Sequence, residues 1–442
     1  MLPSRPEAVA AGLMIPDRLV VTGGARLAGS VSVPGAKNAV LPMMAACLLT
    51  EETCRIRNVP LIEDVEIMAA LLRRLGATVE FDRAERRLTI TAADIRSVRP
   101  DPELVHEMRA SFLVTGALLA RFGQVECVHP GGCEIGIRPV NVDMNGFRAM
   151  GAEILVMDGA YVARAPKLQG SRIYLDYPSH TGTENLLMAA CLAEGYTTIV
   201  HASREPEVLH LIRFLRSMGA EIRGEGTSVV EVKGRSNLWG ASYRTMPDRL
   251  VAGTFAIAAA ITGGEVELRE VWPEHLEPII YKLRDIGVEM DETNRSVVVH
   301  ARNKLRATEV QSMPYPGFPT DKQAEMAALL TQAEGESVVV ERVFEDRFRY
   351  AEGLRRMGAD IDIGGARAVI RGPSRLRGIE VSSGNDLRSG AAMVVAGLAA
   401  EGETTILDAR YVHRGYESLA DDLIGLGASI RAEKFVAPRV QL

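Results

Sequence analysis

Six segments of this chain place charged or hydroxyl side chains directly before a run of small, apolar residues. These polar starts contain Lys37 and Asn38, Arg109 and Ser111, residues 179–185, Asp248 and Arg249, Asp321 and Lys322, and Asp386 and Arg388. Helix N-termini carry unpaired N–H groups and a partial positive charge, so they attract anions. A cation at such a position opposes the helix dipole, so Lys37, Arg109 and Arg388 indicate a bound anion between them. The residue types therefore predict an anion-binding site built from helix starts.

Part of this pattern has an ordinary structural explanation. Asp321 and Thr183 are residue types that favour the N-cap position, where a side chain contributes about 1 kcal/mol without any function. For Asp321, capping alone stays open as the alternative to a chemical role.

A glycine-rich segment adds a thiol to the candidate groups. Residues 130–140 read PGGCEIGIRPV, which places Cys133 among three glycines and Arg138 five positions later. A nearby guanidinium favours the reactive thiolate, and mobile glycine loops commonly close over substrates. No Cys-His-Asn spacing stands out, so we expect Cys133 to donate a proton rather than to act as a protease-type nucleophile. An incidental thiol in a surface loop is the alternative.

Two interleaved sets of six helices position these residues. One set is amphipathic and ends at Gly76, Gly151, Gly219, Gly287, Gly358 and Gly427, at a spacing of roughly 70 residues that is typical of an internal repeat. The other set is apolar on every face, which predicts burial. Short β-branched runs follow and indicate strands. We therefore expect six β-α-β-α-β-β repeats, arranged as two groups of three whose buried helices begin at a cationic cleft.

Composition restricts the class of protein. The 442 residues suit two or three domains, and no apolar run reaches the ~20 residues of a membrane span. A formal charge of −6 argues against general binding of nucleic acid. Five cysteines without CxxC spacing indicate a reducing cytoplasm and argue against disulfides and a structural zinc site.

Several of these stretches resemble one family of enzymes. They are VPGAKNA at residues 33–39, MRAS at 108–111, the GGC and IGIRPV of the cysteine loop, YPGFPTD at 315–321, DLR at 386–388 and RGYE at 414–417. Together they resemble the UDP-N-acetylglucosamine 1-carboxyvinyltransferases, enolpyruvyl transferases that begin peptidoglycan synthesis. The similarity runs from about residue 18 to about residue 430. The cysteine loop and PGFPTD are specific in combination.

The resemblance implies an α/β fold, a two-domain inside-out α/β barrel built from the six repeats. Residues 37–246 would form a catalytic domain with the cysteine loop, and residues 1–36 plus 247–442 a second, discontinuous domain. The implied cytoplasmic reaction transfers the enolpyruvyl group of phosphoenolpyruvate to the 3′-hydroxyl of UDP-N-acetylglucosamine and releases phosphate. This is the first committed step of peptidoglycan synthesis, on which cell shape and division depend. It implies two small-molecule substrates and neither a cofactor nor a metal.

The resemblance also implies roles for individual residues. Cys133 would be the general acid and Asp321 the base, with Lys37 and Asp386 completing the catalytic set. Phosphoenolpyruvate would bind to Lys37, Asn38, Arg138, Arg388 and Arg414. UDP-N-acetylglucosamine would bind to Asn38, Arg109, Arg138, Pro139, Val140, Asn141, Val142, Ser179, His180, Thr181, Asp321 and Val343. Arg347 would close over the site.

Three positions depart from the family pattern. Asn141 stands where many members have Asp, His180 and Thr181 replace a Val-Gly pair, and His413 precedes Arg414 where Asp is frequent. Two alternatives to the implied function stay open. One is an enolpyruvyl transferase for another nucleotide acceptor, such as uridine monophosphate. The other is a non-catalytic binding module of the same fold.

Overall fold

A computed structural model describes residues 17–132, 135–136 and 138–433 of the chain. Its α-helices, in chain order, are α1 (Lys37–Ala46), α2 (Glu63–Leu75), α3 (Pro102–Glu107), α4 (Val114–Phe122), α5 (Asn141–Ala149), α6 (His180–Cys191), α7 (Pro206–Ser217), α8 (Arg249–Ile261), α9 (Pro273–Asp285), α10 (Gln323–Leu330), α11 (Tyr350–Arg356), α12 (Leu387–Ala399) and α13 (Leu419–Gly425). Short 3₁₀ helices cover Cys47–Leu49, Arg109–Leu113, Thr320–Lys322 and Ala409–Arg414.

The strands alternate with these helices along the chain. They are β1 (Arg18–Thr22), β2 (Ala28–Ser32), β3 (Cys54–Arg57), β4 (Thr78–Asp82), β5 (Arg87–Thr91), β6 (Gln124–Val128), β7 (Glu153–Met157), β8 (Ala160–Arg164), β9 (Arg172–Tyr174), β10 (Tyr196–Val200), β11 (Glu221–Arg223), β12 (Val229–Lys233), β13 (Ser242–Arg244), β14 (Glu265–Arg269), β15 (Glu289–Glu292), β16 (Ser296–His300), β17 (Glu309–Ser312), β18 (Gly335–Glu341), β19 (Asp360–Gly364), β20 (Arg367–Gly372), β21 (Glu380–Ser382), β22 (Glu403–Leu407) and β23 (Ser429–Glu433).

The two predicted helix sets are confirmed. The amphipathic helices α2, α5, α7, α9, α11 and α13 are followed by the six repeated glycines, which all have φ between 90° and 113°. Glycine adopts this left-handed conformation without steric cost, so it ends the helix there. In the apolar set, every residue of α8 is buried, as are eight of the ten residues of α1.

The described residues form two compact units. The first unit contains residues 35–132 and 138–246, and the second contains residues 17–34, 135–136 and 247–433. In the first unit the sheets have the strand orders β13-β3-β5-β4, β6-β8-β7 and β11-β12-β10-β9. In the second unit the orders are β21-β22-β1-β23, β15-β16-β14-β2 and β17-β18-β20-β19.

Each apolar helix packs inside its own unit. In the second unit α8, α10 and α12 contact one another, and in the first unit α4 contacts both α1 and α6. Strands such as β5 and β6 alternate buried with less buried residues, so each sheet covers the helices with one face. Helices inside and sheets outside are the arrangement of the predicted inside-out α/β fold.

The chain exchanges strands where it passes between the units. β2 precedes α1 in sequence but pairs in parallel with β14, from Ala28↔Glu265 to Ser32↔Arg269. β13 precedes α8 but pairs in parallel with β3. The N-terminal β1 pairs antiparallel with β22 and β23, which completes the last sheet of the second unit.

Part of the cysteine loop belongs to a different unit from the one that the sequence analysis assigned. The backbone N–H of Asp346 donates to the carbonyl of Ile135 at 3.3 Å, so residues 135–136 pack in the second unit. Gly136 has a φ of 140°, and a Cβ there would lie 2.3 Å from Oε2 of Glu345. Only glycine fits that approach without displacing the glutamate. Among the described residues, no helix is both long and apolar enough to cross a lipid bilayer.

Candidate active site

The second unit holds a carboxylate clamped by two arginines. Asp321 lies in the 3₁₀ turn that precedes α10, and its Oδ1 accepts a hydrogen bond from Nη2 of Arg347 at 2.8 Å. Its Oδ2 accepts from Nε and Nη2 of Arg388 at 3.2 and 2.9 Å. The side chains of Arg347 and Arg388 are 2% and 6% exposed, whereas that of Asp321 is 28% exposed. The carboxylate is therefore the part of this cluster that a ligand can reach.

The arginines control the ionisation of this carboxyl. Burial opposes its negative charge, but Arg388, Arg347 and Lys322 outweigh that effect and hold the pKa of Asp321 far below its usual range. Asp321 is thus ionised at any physiological pH. While both guanidinium groups bind it, the carboxylate is a weak base.

A second carboxylate fixes the start of α12. Asp386 is the N-cap residue, and its side chain accepts hydrogen bonds from the backbone N–H groups of Arg388 and Ser389 at 3.3 and 3.1 Å. Burial raises the pKa of Asp386, but Arg347 and these hydrogen bonds produce a net lowering. Asp386 therefore holds the helix start from which Arg388 projects.

The N-cap predictions for Asp321 and Thr183 are wrong. Asp321 makes no capping bond, because it lies inside a 3₁₀ turn whose cap position is Pro319, and the cap position of α10 is Lys322. Thr183 lies inside α6, whose cap is Ser179. The carboxylate of Asp321 binds two arginine side chains and does not bind the N–H groups of a helix start.

A fully buried ionic cluster, which the sequence analysis did not assign, lies beside Asp321. Nζ of Lys322 contacts Glu325, Oγ1 of Thr254 at 2.6 Å and the hydroxyl of Tyr416 at 3.1 Å. The side chains of Lys322 and Glu325 are both 0% exposed. The available signal was a Lys and a Glu three residues apart in an otherwise apolar segment, which a buried helix tolerates only as a pair.

In the first unit, Lys37 is the first residue of α1 and has its own counter-ion. Its Nζ lies 2.6 Å from Oδ2 of Asp64, a carboxylate near the start of α2 that is 1% exposed. Two residues before Lys37, Gly35 packs closely against the segment that follows β3, because a Cβ there would lie 1.8 Å from the carbonyl oxygen of Asn58. The inference that Lys37 and Arg388 need an external anion was therefore incomplete, since Asp64 and Asp321 provide carboxylates.

Arg109 connects two of the predicted acceptor segments. Its Nη2 donates to the carbonyl of Pro139 at 3.1 Å, directly before the residues that begin α5. Its buried Nη1 has no hydrogen-bond partner in the described parts of the chain. Burial lowers the pKa of Arg109, and Asp143 partly offsets that effect. A buried guanidinium with an unused donor is suited to an acceptor group of a ligand.

The start of α6 presents a hydroxyl and an imidazole. Oγ of Ser179 accepts from the N–H of Gly182 at 3.1 Å. Nε2 of His180 lies 3.1 Å from Oε1 of Glu184. Burial would lower the pKa of His180, but Glu184, Glu207 and Glu205 outweigh it and raise that pKa to about 9. His180 is consequently a cation at neutral pH.

The remaining predicted residues lie on several different elements. Arg138 has a φ of 46° before Pro139, Val140 is buried, and Asn141 and Val142 begin α5 with exposed and half-buried side chains. Val343 donates its N–H to Oε1 of Glu341 at 2.6 Å. Asn38, Thr181 and Arg414 are half-buried, at the starts of α1 and α6 and at the end of the last 3₁₀ helix. Cys133 lies outside the described residues.

Comparison with known proteins defines the class to which this fold and site belong. The model of the EPSP synthase (3-phosphoshikimate 1-carboxyvinyltransferase) family matches residues 21–423. The enolpyruvyl transferase NikO from Streptomyces tendae superimposes with a TM-score of 0.85 at 26% identity, covering 94% of this chain and 99% of that one. EPSP synthase from Acinetobacter baumannii has the same fold, with a TM-score of 0.74 at 21% identity over 94% of this chain and 99% of that chain.

More similar relatives narrow the class. UDP-N-acetylglucosamine 1-carboxyvinyltransferase 2 of Clostridium tetani is 44% identical over 94% of this chain and 99% of its own length. The UDP-N-acetylglucosamine 1-carboxyvinyltransferase of Halorhodospira halophila is 46% identical over 94% of this chain and 99% of its own. The chain belongs to the EPSP synthase family of enolpyruvyl transferases, and the resemblance seen in its sequence is confirmed.

Proposed function

We propose that this protein transfers the enolpyruvyl group of phosphoenolpyruvate to the 3′-hydroxyl of UDP-N-acetylglucosamine and releases phosphate. The observation that carries the proposal is the Asp321 carboxylate held between Arg347 and Arg388, in a chain 44–46% identical to transferases of that name. This arrangement provides a proton acceptor and two cations within a few ångströms, as the reaction requires.

The proposed reaction proceeds by addition and elimination. The 3′-oxygen attacks C2 of phosphoenolpyruvate, its proton passes to Asp321, and C3 receives a proton from Cys133. The resulting tetrahedral adduct loses phosphate from C2 and a proton from C3, which restores the double bond as an enol ether. Cys133 takes back the proton from C3, and the hydroxyl proton held by Asp321 leaves with the phosphate, so both side chains regain their starting states and no electrons are exchanged with a cofactor.

The proposed cationic groups bind the donor substrate. Arg388, Arg414, Arg138 and Lys37, with Asn38, contact the phosphate and the carboxylate, and they stabilise the charge that develops in the transition state. Asp386 keeps Arg388 at the helix start. Arg347 closes over the donor and stays bound to Asp321. A phosphate that draws Arg388 away from Asp321 would raise the basicity of the carboxylate when the donor is present.

The acceptor nucleotide contacts the residues that the resemblance implies, with Asp321 and Val343 among them. Arg109 and Asn38 contact the amino sugar, and Pro139, Val140, Asn141 and Val142 contact uridine. Ser179, His180 and Thr181 hold the diphosphate at the start of α6, where the helix N-terminus favours an anion. The reaction would take place in the cytoplasm and supply peptidoglycan synthesis.

An acceptor panel tests this proposal. Release of inorganic phosphate from phosphoenolpyruvate is measured with UDP-N-acetylglucosamine, uridine monophosphate, shikimate 3-phosphate or no acceptor. Of these four conditions, we expect phosphate release only in the one that contains UDP-N-acetylglucosamine. A faster reaction with uridine monophosphate would replace the proposed acceptor, and no release with any acceptor would favour the non-catalytic binding module.

A further inference from the structure

The buried ammonium group of Lys322 contacts three side chains, and each of them comes from a different element of the fold. The Lys322 ammonium has three N–H donors, and it contacts Glu325 of α10, Thr254 of α8 and Tyr416, which follows the last 3₁₀ helix. The Tyr416 hydroxyl lies 3.1 Å from Oε1 of Glu325 and 2.7 Å from Oγ1 of Thr254. Four side chains thus form one hydrogen-bonded network inside the second unit, in which Oε2 of Glu325 has no hydrogen-bond partner among the described residues.

The network also contacts the candidate active site. Nη1 of Arg388 donates to the Tyr416 hydroxyl at 3.1 Å, while Nε and Nη2 of the same guanidinium donate to Asp321. The guanidinium is planar and rigid, so partners on two of its edges fix both its direction and its plane. Tyr416 therefore limits how far the guanidinium group of Arg388 can rotate toward a ligand.

Stability alone does not account for this ion pair. Burying two charges costs as much as, or more than, their mutual attraction returns, and apolar residues of equal volume pack about as well. Apart from Gln323, Arg388 and Ser389 near their starts, the rest of α10 and α12 consists of small or apolar residues. A charged pair that is buried this deeply indicates a role beyond packing. Its hydrogen bonds connect it through Tyr416 to Arg388.

We infer that Lys322, Glu325 and Tyr416 are positioning residues that orient Arg388 toward the phosphoenolpyruvate anion, an inference that rests on the proposed function. Tyr416 supplies the direct contact. Lys322 neutralises Glu325, which would otherwise compete with Asp321 for the positive charge of Arg388. The ion pair of Lys322 and Glu325 thus keeps Arg388 bound to Asp321 until a substrate anion replaces Asp321 as the partner of Arg388.

Four variants separate these contributions. Tyr416→Phe removes the contact to Arg388 and keeps the ring. Lys322→Met leaves the Glu325 carboxylate buried without its cation, and Glu325→Gln leaves the ammonium without its anion. Lys322→Met with Glu325→Gln removes both charges at nearly constant volume. Tyr350→Phe is the matched control, because Tyr350 is buried in the same unit and its hydroxyl has no hydrogen-bond partner in the part of the chain that the structure describes.

Steady-state kinetics give the decisive readout. We expect Tyr416→Phe to raise KM for phosphoenolpyruvate about tenfold or more, with KM for UDP-N-acetylglucosamine within about twofold of wild type. We expect Lys322→Met to show the larger defect and the double variant to recover most of it. The inference is overturned if Tyr416→Phe matches Tyr350→Phe in both KM values. It is also overturned if adding Glu325→Gln to Lys322→Met does not restore KM for phosphoenolpyruvate, although thermal unfolding shows that the double variant is folded.

A second measurement does not depend on the transferase reaction. In protein with ¹⁵N-labelled arginine, the Nε–H signal of Arg388, assigned with Arg388→Lys, should be sharp because Asp321 accepts it. We expect Tyr416→Phe and Lys322→Met to broaden or shift this signal and Tyr350→Phe to leave it unchanged. If wild type releases no phosphate with any acceptor, the proposed function fails. If this signal is identical in wild type and Tyr416→Phe, the positioning role fails.

Discussion

Arg388 donates two hydrogen bonds to a single oxygen of Asp321, from Nε at 3.2 Å and from Nη2 at 2.9 Å. The other oxygen of the carboxylate binds Arg347. This relationship joins the start of α12 to the turn before α10, and it places the proposed base beside the cations of the proposed donor site.

Replacing Asp321 by Asn should reduce both activity and stability. The amide cannot accept the hydroxyl proton, so we expect kcat to fall about 10²-fold or more. Two buried guanidinium groups would also lose their counter-ion, which should lower the free energy of unfolding by about 3 kcal/mol. Phosphate release and denaturant unfolding measure the two effects. Asp82→Asn, which breaks an exposed pair with Arg87, is the control and should change neither. If Asp321→Asn has the same kcat as wild type, Asp321 is not the base.

The contact between Lys37 and Asp64 should be important for donor binding. Asp64 is buried and lies 2.6 Å from the Lys37 ammonium, so Asp64→Asn should loosen Lys37 and lower kcat/KM for phosphoenolpyruvate about tenfold. Initial rates at varied phosphoenolpyruvate measure the change. Glu66→Gln on the same helix removes a contact to Arg83 and serves as the control. An equal loss in both variants would assign the effect to α2 as a whole.

Alkylation by a small epoxide should modify Cys133 and spare the other four cysteines. Cys47, Cys54, Cys127 and Cys191 are all buried. Burial raises the pKa of Cys127 and of Cys191 to about 12, which suppresses their thiolates. A hydrogen bond with Cys47 lowers the pKa of Cys54, so burial is the main protection of that thiol.

Peptide mass spectrometry after partial inactivation locates the adduct. Modification of Cys47 or Cys191 that tracks the loss of activity would contradict the assignment. Cys133→Ala should abolish turnover while the protein stays folded. Cys133→Asp should retain activity and lose epoxide sensitivity, because a carboxyl group also delivers a proton.

The stability of the α6 start should depend on pH through His180. Its pKa is raised from its ordinary value of 6.5 to about 9, so its stabilising contribution is fully present below pH 6.5. That contribution declines as the pH rises through 9. The linkage is worth at most about 3 kcal/mol. We expect wild type to lose its stability advantage over His180→Gln between pH 6.5 and 9 in thermal unfolding. A difference that stays constant across this range would show that the ion pair with Glu184 is negligible.

The fold was predictable because its signals are local. A glycine after each amphipathic helix, such as Gly76 or Gly358, needs only its own neighbours to adopt a positive φ. The burial of α8 likewise follows from a segment that has no polar face. Such patterns are complete within a dozen residues, so the sequence displays them directly.

The counter-ions were not predictable, because they come from distant positions. Asp64 is 27 residues from Lys37, and Arg388 is 67 residues from Asp321. A sequence shows that a charge needs a partner but does not show which residue the fold brings to it. The capping alternative for Asp321 fails for a related reason, since a short 3₁₀ turn, which the sequence did not reveal, contains the residue and keeps it from the cap position.

The most direct test follows the labelled donor into the product. Wild type and Asp321→Asn are incubated with UDP-N-acetylglucosamine and phosphoenolpyruvate that carries ¹³C at C2 and C3, and the product is analysed by NMR. We expect a labelled enol ether on the 3′-oxygen of the sugar, formed rapidly by wild type and about 10²-fold more slowly by Asp321→Asn. Label found only in pyruvate or on a different hydroxyl, or equal rates for the two proteins, would contradict this expectation.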